Sequence, residues 1–114
     1  MQKHNAEERS HPIAESLHGE VSYCSCCKQY QLKFKNIGIP FSKKGLESFK
    51  SVLEQSYLNL ALEQNHNPTL KIRCANMMLS FKLEEADEIL ELIKQAQIET
   101  VRAELEYLYQ LPES

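Results

Sequence analysis

The sequence predicts an α+β fold of two ββα repeats, offset by forty residues, plus an N-terminal strand: an antiparallel sheet with two helices packed on one face. Three observations carry this. Residues 30–58 lie over 70–98, with Leu32 over Ile72, Asn36 over Asn76, Ile39 over Leu79, Phe41 over Phe81, Phe49 over Ile89 and Leu53 over Ile93. Within each copy the apolar residues first hold even positions (Tyr30, Leu32, Phe34; Leu70, Ile72, Cys74). They then switch to odd ones (Ile37, Ile39, Phe41; Met77, Leu79, Phe81). After each pair of strands the apolar spacing becomes helical.

Residues 1–17 are polar, mix both charges and contain Pro12, and they read as a flexible tail ahead of a single domain over 18–114. The repeat units span about 28–66 and 69–98. Glu20 to Cys24 read as a leading strand with Val21 and Tyr23 on one face, and the C-S-C-C turn returns the chain into strand 29–35. The parity switch at Asn36 and Asn76 is what a two-residue hairpin loop produces. Such a loop sets residue i opposite i+3, so Phe34 faces Ile37, Leu32 faces Ile39 and Tyr30 faces Phe41. Asn suits the left-handed backbone of such a turn; the competing form is a single strand with a bulge at Asn36. Pro40 has no N–H to donate, so strand 37–41 belongs at a sheet edge or points that position away from a neighbour.

Ser42 is placed to cap a first helix with apolar positions Leu46, Phe49, Val52, Leu53, Tyr57, Leu60 and Ala61, ending near the N-H-N-P turn at Asn65. The second helix begins after Lys82 and presents Ala86, Ile89, Leu90, Ile93 and Ala96 to the same core. Nothing breaks it before Pro112, so a C-terminal extension over 98–111 outruns the repeat. There Ile98, Val101, Leu105 and Leu108 form an apolar stripe at i, i+3, i+7 and i+10, which implies self-association as a homodimer or packing back onto the sheet.

At 114 residues and 42% hydrophobic content the chain can build one modest core. No apolar run approaches the roughly 18 residues of a membrane span, and the first residues have no hydrophobic stretch like a signal peptide, so a cytoplasmic location is expected. The net charge of −3 hides an asymmetry, with 11 basic and 7 acidic side chains in residues 1–82 against 2 and 9 in residues 83–114. Glu84, Glu85, Asp87 and Glu88 sit at a helix start, where the macrodipole stabilises them.

Cys24-x-x-Cys27 between two strands has the spacing of a zinc knuckle, in which one turn presents two thiolates to a metal that prefers four ligands. Further ligands would come from His18, Cys74 or Cys26, from His4, His11 or His66, or from a second subunit; otherwise the pair are ordinary thiols in a turn. Thiol exchange is the weaker reading, because a strand rather than a helix follows, although Lys28 favours a thiolate at Cys27. Cys74 takes the repeat position of Phe34 and is expected in the core. Lys33, Lys35, Lys71 and Arg73 share the opposite parity and would form an outer basic stripe. Without interleaved aromatics this is a solvated face, not a single-strand reader, and nucleic acid is not the expected partner.

The stretch His18 to Ser42, with Cys24-x-x-Cys27 and then Gln31-Leu32-Lys33-Phe34, resembles a family of short bacterial proteins known only as a domain of unknown function. The resemblance continues through Met77 to Phe81 and Glu88 to Ala96, with Lys35 where the family pattern has Gly before Asn36, and it implies no activity. The residues support a non-catalytic, self-associating protein-interaction or regulatory module. The alternatives are a zinc-binding module contacting nucleic acid and a small thiol-dependent enzyme.

Overall fold

The computed structural model describes residues 10–24, 26–62, 69–74 and 76–110, and the side chains of 12–106 among them. The order is β1 (Ser10–Glu15), β2 (Gly19–Cys24), β3 (Gln29–Phe34), β4 (Ile37–Phe41), α1 (Lys43–Leu62), β5 (Thr69–Cys74), β6 (Met77–Lys82) and α2 (Leu83–Gln110). The strand–strand–helix pattern occurs twice, starting at Gln29, Ile37 and Lys43 and then at Thr69, Met77 and Leu83.

Both hairpins have the register that the parity switch requires. Phe34 pairs with Ile37, Leu32 with Ile39 and Tyr30 with Phe41, and in the second copy Ile72 pairs with Leu79 and Leu70 with Phe81. The left-handed backbone of the first turn falls on Lys35, at φ 54°, and not on Asn36. Lys35 N–H donates to the His18 carbonyl at 2.8 Å and its ammonium pairs with Glu85, so tertiary bonds hold a residue type that seldom adopts this conformation.

The strands form two sheets where one was expected: a four-stranded sheet in the order β1-β2-β3-β4 and a separate β5-β6 pair, all antiparallel. Pro40 supplies a physical reason. Counted outward from the two-residue loop, the pairs 34/37, 32/39 and 30/41 exchange hydrogen bonds, so the nitrogen of residue 40 faces outward. There it offers no donor to a fifth strand, and β4 ends the sheet.

The expected N-terminal tail is in part a strand. Ser10–Glu15 pairs antiparallel with β2, with a bulge between Pro12 and Ala14 that turns Ala14 into the core. Pro12 is tolerated because β1 is the other edge. Residues 1–9 of that tail lie outside the described residues.

Ser42 caps α1, its hydroxyl accepting the Gly45 N–H at 3.0 Å and its carbonyl the Leu46 N–H at 2.9 Å. Leu46, Phe49 and Leu53 are buried, whereas Val52 and Ala61, expected in the core stripe, face solvent. All five expected core positions of α2 are buried, and Leu92 joins them. Leu92 seats against β2 because residue 19 is glycine. A Cβ there would stand 2.5 Å from the Lys33 carbonyl oxygen and 3.2 Å from Leu92 Cδ1.

α2 packs on β1 and β2 of one sheet and on β5 and β6 of the other, while α1 packs on β3, β4 and β5. Phe34 and Phe81 meet edge to face at 6.3 Å between centroids, joining the sheets within one core. Phe41→Ala or Phe81→Ala is therefore expected to destabilise the fold by about 3–5 kcal/mol, read as a lowered urea midpoint. Gly19→Ala should lower it as well, since the new methyl meets backbone; an unchanged midpoint would mean that α2 is not seated on Gly19.

Candidate functional site

The C-S-C-C segment closes the β2–β3 hairpin, whose last rung pairs Cys24 with Gln29. The Lys28 N–H donates to the Cys24 carbonyl at 2.7 Å and Lys28 takes a left-handed φ of 55°, which folds the turn tightly enough for the Cys27 N–H to reach Cys24 Sγ at 3.4 Å. Cys24 is buried at the root of the turn and Cys26 and Cys27 are exposed at its tip. Two thiols of one C-x-x-C are thus brought together on one turn, with a backbone N–H aimed at the first sulfur. The Cys27 thiol is pushed up, first by its hydrogen bond with Cys24, then by partial burial and the neighbouring thiols. This reverses the expectation that Lys28 favours a thiolate there, and it removes the support for thiol exchange.

The other expected ligands are elsewhere. His18 precedes Gly19, at the far end of β2 from Cys24, and five residues of strand separate those ends by about 17 Å. Its ring Nδ1 lies 2.9 Å from Glu88 and its N–H 2.8 Å from the same carboxylate. Cys74 is half-buried at the end of β5, opposite Met77, in the other sheet. His4 and His66 lie outside the described residues, and of His11 only the backbone, paired with Tyr23, is described. Among the described residues no group of three or more His, Cys, Asp or Glu side chains is arranged to hold a metal ion.

The acidic start of α2 has a use that its sequence did not announce. Glu88 accepts from the Ser16 hydroxyl and from His18, fixing the β1–β2 turn to the helix. Glu85 takes the Lys82 N–H at 2.8 Å and pairs with Lys35 of the β3–β4 turn. The expected basic stripe is broken accordingly: Lys35 belongs to this cluster, and Lys33 lies on a different sheet from Lys71 and Arg73.

From that anchored end α2 runs along the four-stranded sheet. Leu92 reaches Gly19, opposite Phe34, and Thr100 accepts the Tyr30 hydroxyl at 2.9 Å. The helix rises about 12 Å between Leu92 and Thr100, matching about 13 Å of strand from Phe34 to Tyr30, so the two run nearly parallel. Four residues on, Glu104 is near enough to add its charge to burial and Tyr30 in pushing the Tyr23 hydroxyl up. A cleft of about 470 Å³ between the helices is lined by Tyr30, Lys43, Lys50, Thr100 and Val101.

Beyond Thr100 the sheet no longer covers α2. Val101 to Glu106, six consecutive helical residues, are all exposed. Of the expected stripe, Ile98 is 58% exposed, Val101 53% and Leu105 48%, while the Leu108 side chain lies outside the described residues. These three do not pack back onto the sheet. Ile98 and Val101 line a shallow, mostly apolar hollow with Lys50, Lys94 and Gln97.

The model of a family of unknown function (DUF6686) matches residues 6–111, and the chain belongs to that family. No curated protein and no solved structure matches it. No helix among the described residues is long and apolar enough to cross a membrane.

The Glu88 cluster sets an acid limb. Partial burial pushes this carboxyl up, but hydrogen bonds from Ser16 and His18 outweigh it and hold it at about 2, below its ordinary 4.5. A folded value below the unfolded one stabilises the fold above the unfolded value, and that stability is lost as pH falls from about 4.5 toward about 2. Glu88→Gln should therefore flatten the melting temperature against pH across that window relative to wild type. Parallel curves would show that the cluster contributes nothing to folding.

Proposed function

We propose that this chain is a non-catalytic association module that pairs with a second copy of itself through the exposed end of α2. The observation that carries the reading is the run from Val101 to Glu106, a helix exposed all round although it holds Val101 and Leu105. A short helix in water is marginal, because most helical stability in proteins comes from packing one face. The apolar residues at 98, 101, 105 and 108 have the alternating three- and four-residue spacing of a coiled-coil seam, which fits a like helix.

Two-fold pairing is the commonest closed arrangement and would cover the stripe on both copies at once. The sides of the same helix carry Arg102, Glu104 and Glu106, which keep the seam narrow and soluble. The thiols of Cys24, Cys26 and Cys27 fit a chain that works in a reducing compartment, and we place it in the cytoplasm.

Light scattering on the full chain at high micromolar concentration should report twice the monomer mass. Val101→Glu with Leu105→Glu should halve it while leaving the far-ultraviolet circular dichroism and the melting of the core in place, since both residues lie outside the buried cluster. A monomeric wild type would end this reading, and a double variant that unfolds would return the stripe to the core.

A further inference from the structure

We propose that two copies of the Cys24–Cys27 turn, one from each chain of the dimer, hold a single zinc ion through four thiolates. This rests on the pairing of copies argued above and adds to it a ligand and a place.

The turn has the local form of a metal knuckle and too few ligands to complete one. Cys24 and Cys27 are joined by an N–H to Sγ bond of 3.4 Å, and Lys28 takes the left-handed φ that brings the chain round behind them. Zinc in a structural site takes four ligands. His18 and Cys74 are held in other parts of the fold, and among the described residues no third side chain converges with this pair. A second identical turn supplies what is missing, and two-fold symmetry presents it without any further sequence.

The turn also stands where the pairing would occur. α2 tracks β2 and β3 and meets Tyr30 at Thr100; three further residues of strand, from Tyr30 to Cys27, advance about 10 Å. About seven residues of helix cover the same rise, so the turn lies level with the stretch just past Glu104, inside the arm that carries Val101 and Leu105. Pairing of the two arms draws both turns toward the same interface.

As each zinc–sulfur bond forms, the thiol gives up its proton to solvent, four in all, so zinc affinity should fall steeply as pH is lowered. The raised Cys27 thiol makes that dependence steeper, because the metal-free turn keeps its proton.

The test combines light scattering with metal analysis on the full chain, loaded with zinc chloride and then freed of excess by gel filtration. The expected result is a dimer with one zinc per two chains. The cobalt(II) form should show the visible bands of a tetrahedral four-thiolate site. Cys24→Ser with Cys27→Ser should weaken zinc binding by about a hundredfold or more. Val101→Gln with Leu105→Gln, which keeps helix propensity, should give a monomer that loses zinc on the column.

A dimer that carries no zinc overturns this inference and leaves the pairing intact. A wild type that stays monomeric with zinc present overturns the pairing and the shared site together. One zinc per chain, retained by the monomeric variant, shows that each chain completes its own site and overturns the sharing.

Discussion

The fold depends on the first half of α2 being buried from two sides. Ile89 and Ile93 are fully buried and Leu92 is 1% exposed, because the helix lies on the four-stranded sheet and on the β5–β6 pair together. A two-stranded hairpin is marginal alone in water, so β5–β6 persists only through what covers Leu70, Ile72, Leu79 and Phe81. Each side chain of this size contributes about 1.5–3 kcal/mol on full burial, far more than the ion pairs at the rim. The apolar face of one helix therefore substitutes for the hydrogen bonds that would have merged two sheets into one.

That burial fixes the meaning of the two ends of α2. At the start, Glu85 and Glu88 tie three β-turn residues to the helix: Lys35 from one hairpin, and Ser16 and His18 from another. Negative charge at a helix start is favourable in itself, so the acidic run serves the macrodipole and the turns at once. At the other end the last turn carries no basic residue, and the sheet ends before the helix does. One end is anchored by charge and the other is apolar and bare.

Much of this was legible from periodicity. The shift from even to odd apolar positions sets the register of both hairpins, because a period-two pattern admits no other pairing that keeps Leu32 and Ile39 on one face. What periodicity cannot report is the neighbour across an edge. Pro40 announces an edge, but only the pairing of residue 40 with Gln31 shows which way its nitrogen points, and hence why the second hairpin stands apart. β1 escaped notice for a related reason: with Pro12, a bulge and little but Ile13 and Ala14 to bury, it has no alternation to read. The metal half-site was half legible on the same grounds. The spacing of Cys24 and Cys27 is local and survives folding, whereas His18, only six residues from Cys24, is carried to the opposite end of a strand.

The bare end of α2 is where the energetics are open to a partner. Within the chain it has an i,i+3 pair between Arg102 and Glu99 at 3.2 Å, worth about 0.2–0.5 kcal/mol, and Glu104 and Glu106 near a helix C-terminus oppose the macrodipole. Conformational entropy costs about 1–2 kcal/mol for each backbone residue held in place, so the arm's own interactions add little net support to its helical form. Covering Val101 and Leu105 on each of two chains would contribute several kcal/mol, the largest favourable term available to this segment. On magnitudes alone, association is the process that most firmly orders the arm, and a metal shared between the adjacent turns would add its binding energy to the same equilibrium.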